Sequence, residues 1–509
     1  MSANFILEDV DLAALDRLVQ RVALKLQQGD VITLSGPLGA GKTTFARFLL
    51  MRLGAPGEVP SPTFSLVQAY ATPRFTVQHC DFYRLKSADE IAELGLDDLI
   101  PQSVTLIEWP ERGGGWLPGD RLDIVMDESA EPHRRRITLT GYGSWAPRLE
   151  RLMALSDFLA GTPYAEATAE YLQGDASTRA YARLLLPDRT AILMDSPRQP
   201  DGPPIRNGKS YSALVHLAEH VTPFVAVAEE LRSRGLAAPA IYAFDLERGF
   251  LVIEDLGDRV FGAEIAGGTP MQHLYAAAAD VLLTLAAKPL PVELPVEGHA
   301  PHRLPPYDQG ALLTEALLLI DWFWPALHGK PAPETVRDEY VSLWQPLLTA
   351  AARADGTLVL RDFHSPNLMW LPERQGLQRV GLLDFQDALS GPAAYDLVSL
   401  LQDARLDVPE ALEGELLARY CAARAAREEQ FSSERFRVLY ATLGAQRSSK
   451  ILGIFARLAK RDSKRGYLSH IPRVARYLER NLAHPALAEL RAWYDREIPP
   501  ADRLSELKI

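Results

Sequence analysis

Between residues 11 and 28, Leu12, Leu15, Leu18, Val19, Val22 and Leu26 recur at helical spacing, with Asp11 placed ahead of them as a cap. The run VITLSG that follows reads as a buried strand, and it leads straight into GPLGAGKTTFARFLLMRLG, a glycine-rich turn opening a helix. PSPTFSLVQAY and RFTVQHCDFYRL alternate as strands, the second ending at Asp81, and the apolar strand SVTLIEWPE ends at Glu108. RLDIVMDESAEPHRRRITLTGYG reads as a hairpin, with HRRR at its solvated edge rather than forming a nucleic-acid patch. Helices and strands interleaved in this order predict an α/β domain. The composition changes at GYGSWAP, which places a boundary near residue 145 with a short linker.

Past that boundary, YLQGDASTRAYARLLLPDRTAILMDSP predicts a hairpin whose small-residue loop, 174–178, is a candidate phosphate cover. A long helix is expected over 211–234, punctuated by Pro223, followed by strands AIYAFD and GFLVIEDLG and a hinge at 254–257. The remainder is mostly helical by periodicity, as in LLTEALLLIDWFWPAL, where Trp322, Phe323 and Trp324 read as a core anchor. These patterns give a small α+β lobe followed by a larger helical one.

Two stretches carry chemistry. Gly36, Gly41, Lys42 and Thr43 satisfy G-x-x-x-x-G-K-T between a strand and a helix, the context this motif requires. Glycines let backbone N–H groups curl around phosphates, and the helix adds its positive N-terminus. The nucleotide would rest on Gly36, Gly39, Ala40, Gly41, Lys42, Thr43 and Thr44, with Thr43 on magnesium. Asp81 and Glu108, at the ends of strands, are the candidate carboxylates beside the phosphates, since α/β sheets bind ligands there. No Asn-Lys-x-Asp tetrapeptide occurs, which favours ATP over GTP. Asn207-Gly208-Lys209-Ser210 ends like a second phosphate loop, but Pro203 stands where its first glycine belongs, and it reads as an ordinary loop.

The second stretch is LRDFHSPNLMWLPERQGLQRVGLLDFQDA, residues 360–388. Asp362 precedes Asn367 by five residues, and Asp384 closes an apolar run. Phosphoryl transfer from a magnesium nucleotide needs a carboxylate near the acceptor hydroxyl and oxygen ligands for the metal. Asp362 is the candidate base, and Asn367 and Asp384 are the candidate metal ligands. Asp396 reads as structural, capping its helix and tying it to this loop. The fold class is therefore an α/β P-loop NTPase domain (1–144) followed by a two-lobed α+β kinase-like domain, with an N-lobe at 145–258 and a helical C-lobe at 259–509.

With 509 residues the chain needs several cores. A net charge of −12 leaves no global field to recruit nucleic acid. Cys80 and Cys421 are the only cysteines, too far apart in sequence for a metal motif, and read as reduced thiols. The early acidic residues show no signal pattern, and the apolar run 276–290 is too short to span a bilayer, so a cytoplasmic protein without membrane contact is expected. A basic run (Arg447, Lys450, Arg457, Lys460, Arg461, Lys464, Arg465) reads equally as an anion site or as a solvated helix face.

GPLGAGKTT, PSPTF, HCDFYRL and LIEWPE together resemble the TsaE family of small P-loop ATPases that support threonylcarbamoyladenosine formation on tRNA. The resemblance implies a switch-like loop at Thr63, magnesium and hydrolysis roles for Asp81 and Glu108, and Trp109 beside the site. It also implies TsaB- and TsaD-type partners, with tRNA involved only indirectly. Cys80 stands where that family often has Phe, a packing change. The second half resembles the aminoglycoside/choline kinase-like phosphotransferases. Within these, MDSP, LLDFQDALSGPAAYDL and QRSSKILGIFARLAKRDSKRGYLSHIPR resemble the AmgK family, which phosphorylates the anomeric hydroxyl of N-acetylmuramate and N-acetylglucosamine in peptidoglycan recycling. Two departures from the wider kinase pattern stand out: Met194 replaces the phosphate-pairing lysine, and Asp-Phe-Gln replaces Asp-Phe-Gly. Other acceptors (choline, a hydroxyamino acid, an aminoglycoside) and a nucleotide-sensing module remain as alternatives.

Overall fold

Four short strands fix the first sheet. They are β2 Val31–Ser35, β4 Thr76–Asp81, β5 Val104–Glu108 and β6 Arg121–Glu128, and adjacent pairs among them run parallel. β1 Ser2–Val10, β3 Val67–Ala71 and β7 Arg135–Tyr142 complete seven strands in the order β1-β7-β6-β2-β5-β4-β3, joined at the flanks by antiparallel pairs. β2 and β5, with parallel neighbours on both sides, read as near-continuous apolar runs because a parallel sheet is covered on both faces. Helix α1, Leu12–Lys25, starts where the Asp11 carboxylate accepts the Ala14 N–H at 2.8 Å. Its Val19 and Val22 pack with Phe45 and Leu49 of α2, Lys42–Arg52, over Ile32 and Leu34 of β2. The computed structural model describes residues 2–62, 64–85, 87, 89–172, 179–354, 356–505 and 507.

The boundary expected near 145 falls at the start of a helix, Trp145–Ala160, and not in a linker. Trp145, Leu149, Leu152, Leu155 and Leu159 follow a 4-3-3-4 spacing, one continuous apolar face. The first three lie in the core of the seven-stranded sheet, and the last two pack with Ala182, Leu184, Leu193 and Phe250 in the core of a second sheet. That sheet contains β8 Thr168–Leu172, β9 Ala180–Leu186 and β10 Arg189–Asp195, followed by Phe250–Glu254 and the edge strand Ile241–Asp245. Both sheets belong to one unit, Met1–Pro197 with Tyr242–Asp255. Asp195, buried at the end of β10, accepts hydrogen bonds from Lys25 of α1 and from Arg151 of the shared helix. The Gln20 side-chain oxygen accepts the Ala169 N–H at 2.8 Å. The loop at 174–178 and Thr63 lie outside the described residues.

The second unit is Arg198–Ile241 with Leu256–Ile509. The chain passes between the units after Pro197, Ile241 and Asp255, so residues 198–241 of the expected 145–258 lobe belong to the second unit. The expected helix over 211–234 is two helices, Tyr211–Leu214 and Thr222–Ser233. Pro223 lacks an N–H and sits in the first turn of the second helix, where none is needed, and His216 between the two has φ 55°. Asn207 and Gly208, at φ 50° and 72°, form the turn of a hairpin between Pro204–Arg206 and Lys209–Ser210, so the Asn-Gly-Lys-Ser segment is a hairpin turn and the strand it opens. Gly356–Val359 pairs with Leu389–Pro392, and Leu368–Trp370 pairs with Val380–Leu382, so the loops at 360–367 and 383–388 open side by side. The 29-residue helix Ser433–Arg461 packs tightly against the helical run around Leu318: a Cβ on Gly453 would meet the Leu318 carbonyl at 2.3 Å. Phe323 and Trp324 are buried, as expected of a core anchor, whereas Trp322 is only partly covered. Among the described residues one helical run, Gln309–His328, has the length and apolarity to cross a membrane, and most of it is buried inside the unit.

Candidate active sites

In the first unit, register brings the two carboxylates together. Asp81 on β4 is paired with Glu108 on β5, and Glu108 with Leu34 on β2, the strand that feeds the glycine loop. Gly36, Gly39 and Gly41 have φ of 136°, 82° and 111°. A Cβ on Gly36 would lie 2.1 Å from the Met126 carbonyl oxygen, so no other residue fits that approach. Thr43 Oγ1 donates to Glu108 Oε2 at 2.9 Å. Lys42 Nζ donates to the Gly36 and Pro37 carbonyls at 2.7 and 2.9 Å and lies 3.7 Å from the centre of the Trp109 ring. Burial pulls the Lys42 ammonium down from its ordinary range, against Glu108, Glu111 and Asp81. A cleft of about 330 Å³ opens over these groups, walled also by Ser61, Asp81 and Tyr83. Its hydroxyl and carboxylate oxygens suit magnesium, a hard cation that prefers such donors.

Three groups at this site escaped the sequence reading. His79 Nε2 is 2.9 Å from Glu108 Oε1 and fully buried, so Glu108 is held between an imidazole and the Thr43 hydroxyl. The signal for it was available, because His79 lies two residues before Asp81 and therefore on the same strand face. The Tyr83 ring lies 5.0 Å from that of Trp109, tilted 52° to it, and the Tyr83 N–H donates to Asp81 Oδ1 at 3.0 Å. Arg135 of the HRRR run is more than a solvated hairpin edge: its Nε donates to the Ala40 carbonyl at 3.0 Å and its Nη2 to that of Gly39 at 3.3 Å. Cys80 packs among Val31, Phe82 and Ile107, and burial pushes its thiol up to about 12.

In the second unit, Asp362, Asn367 and Asp384 converge. Asn367 donates its amide N–H to the Asp362 carbonyl at 2.9 Å and to Asp384 Oδ2 at 3.4 Å, and Gln386 donates to Asp384 Oδ1 at 2.8 Å. Asp384 and Arg361 have φ of 58° and 73°, left-handed conformations that cost about 1–3 kcal/mol each for residues other than glycine. The surroundings hold them. Asp396, on its own helix, accepts the Leu360 and Arg361 N–H groups at 2.6 and 2.9 Å. Burial pushes the Asp396 carboxyl up to about 7 against those two bonds. The Arg361 guanidinium pairs with fully buried Glu315 and donates to the Val215 carbonyl at 2.9 Å. Phe385 stacks on Phe224 at 4.8 Å.

The basic run is neither one solvated face nor one anion site. Arg447 is buried, and Lys450 Nζ lies 2.8 Å from Glu315 Oε1, whereas Arg461 pairs with Asp462 at the surface. Burial raises the Asp362 carboxyl, but Lys450, His364, Arg361 and Arg447 together outweigh it and hold it below the usual carboxylate range. Among the described residues no three His, Cys, Asp or Glu side chains form a metal cage. Magnesium keeps waters and phosphate oxygens and needs no such cage.

Comparison with known families follows this division. The model for threonylcarbamoyl adenosine biosynthesis protein TsaE matches residues 10–137, and that for the phosphotransferase enzyme family matches residues 168–430. The chain belongs to both families. Its phosphotransferase domain is 41% identical over 364 residues to an N-acetylmuramate/N-acetylglucosamine kinase of Caulobacter vibrioides, covering 70% of this chain and 98% of the relative. A Pseudomonas aeruginosa protein of the same name is 35% identical over 319 residues, covering 62% and 84%. The TsaE domain is 44% identical over 164 residues to the tRNA threonylcarbamoyladenosine biosynthesis protein TsaE of Rickettsia felis, covering 32% and 91%. The chain is thus an enzyme, a phosphotransferase fused to a TsaE domain.

Proposed function

We propose that the protein is bifunctional: an ATPase that supports threonylcarbamoyladenosine modification of tRNA, and an ATP-dependent kinase for the anomeric hydroxyl of N-acetylmuramate and N-acetylglucosamine. The convergence of Asp362, Asn367 and Asp384 carries the kinase reading. Magnesium held by Asn367 and Asp384 would neutralise phosphate charge. Asp362, kept ionised by its cationic neighbours, accepts the proton of the sugar hydroxyl as that oxygen bonds to the γ-phosphorus and the bond to ADP breaks. Met194 is buried inside the N-lobe sheet and offers no charge to the phosphates.

In the TsaE domain, Gly36, Gly39, Ala40, Gly41, Lys42, Thr43 and Thr44 cradle the nucleotide, with Thr43 and Asp81 on the magnesium side. Glu108, fixed by His79, positions the attacking water. TsaB- and TsaD-type proteins are the partners, tRNA is reached through them, and the setting is cytoplasmic. The deciding assay is conversion of N-acetylmuramate to its 1-phosphate by purified protein with ATP and magnesium, abolished by Asp362→Ala. A wild-type protein inert on both amino sugars sinks the kinase reading.

A further inference from the structure

Beside the phosphoryl-transfer residues of the second unit lies a pocket of about 260 Å³ that the mechanism leaves unused. Its wall holds Arg198, His216, His220 and His302, four basic side chains, against one acid, Glu219, which already lies 3.7 Å from Arg198. Gln386 is also in the wall. Its amide nitrogen is spent on Asp384, while its buried side-chain oxygen has no hydrogen-bond partner among the described residues. The pocket is fastened to the reacting centre by the Ala218 N–H, which donates to Asp387 Oδ1 at 2.6 Å.

We propose that this pocket receives the acidic substituent of the acceptor, a carboxylate carried on a sugar ring. This rests on the sugar-kinase reading above, and it separates the two amino sugars: N-acetylmuramate bears a lactyl carboxylate and N-acetylglucosamine does not. His216 Nε2 already faces Asp308 Oδ2 at 3.4 Å, which leaves the His220 and His302 imidazoles and the Arg198 guanidinium as donors to such a group, and arginine grips carboxylates with two parallel bonds. The unpartnered Gln386 oxygen calls for a donor, which a sugar hydroxyl or acetamido N–H supplies. Burial lowers both His220 and His302 from their ordinary range, with Arg198 adding to the effect at His220 and His220 at His302. An arriving carboxylate relieves that repulsion.

The test is steady-state kinetics of the full-length protein with both sugars and ATP. Arg198→Ala with His220→Ala, both at exposed positions, should raise KM for N-acetylmuramate about tenfold or more. KM for N-acetylglucosamine and for ATP should stay within about twofold, and Arg198→Lys should be milder than Arg198→Ala. An equal rise for both sugars would mean that the pocket holds the ring, and a rise for ATP that it holds nucleotide phosphates. No change would mean that it holds nothing. Each of these overturns the proposal. Failure of the sugar-kinase reading shows in the wild type, whereas failure of the pocket shows only in the variants.

Discussion

Arg151 Nε donates to Asp195 Oδ1 at 2.7 Å, joining the shared helix to the last residue of a kinase-lobe strand. With Lys25 on the other carboxylate oxygen, Asp195 is a buried anion held by two cations. Removing one member of such a set strands the others, at a cost of about 3–5 kcal/mol. Asp195→Ala should lower the unfolding free energy of the full-length protein by that order in chemical denaturation. A loss under about 1 kcal/mol would mean that the apolar face of the shared helix does the joining alone.

The two phosphate sites should be separable by mutation. Lys42→Ala is expected to cut partner-stimulated ATP hydrolysis by about 10²–10³-fold, leaving sugar phosphorylation unchanged. His79→Ala, which frees Glu108 from its imidazole, should cost about 10–100-fold in the same assay, the range of outer-shell partners. A parallel loss of kinase activity in either variant would show that the sites are coupled.

Lys450 is the largest of the influences that hold Asp362 below the carboxylate range. Lys450→Met removes that positive charge and raises the Asp362 pKa. The acid limb of the sugar-kinase pH–rate profile should therefore move to higher pH, while the alkaline limb stays in place. An unmoved acid limb would show that Lys450 serves only Glu315.

Glu315 is fully buried. Burial raises its carboxyl, but Lys450, Arg361 and Tyr307 outweigh this and take it to about 2. A carboxyl with a depressed native pKa contributes stability above its unfolded value of about 4.3 and loses it as pH falls towards 2. Acid titration of the wild type should show this loss of stability, about 3 kcal/mol for a shift of this size. Glu315→Gln should flatten it and be less stable at pH 7. A variant with an unchanged acid profile would refute the pairing.

Asp81, Glu108, Asp362, Asn367 and Asp384 were legible in the sequence because each stands at a strand end or in a short loop, where local pattern fixes position. The tie from Asp396 to the 360–367 loop was legible too, but the residue sits in the first turn of its helix and not at the cap, which is Ala393. What escaped depends on long-range register. Glu315, Arg361 and Lys450 lie on three distant segments, and nothing local to any one of them announces the others. Arg135 was read by its neighbours in the chain, HRRR, while its partners Gly39 and Ala40 lie some 95 residues away. The helix over 211–234 was overextended because apolar spacing on either side of Pro223 happens to match one period. The proline and the left-handed His216 decided the break.

The strands Phe250–Glu254 and Ile241–Asp245 return to the first unit only after the chain has entered the second. During synthesis, β10 therefore leaves the ribosome without the neighbour that completes its ladder. Roughly 55 residues separate the two, about 3–10 seconds at the usual rates of translation. Throughout that interval the far half of the shared helix has no finished sheet to cover it. The order of the strands thus opens an interval of exposure to aggregation or proteolysis that the finished fold does not show.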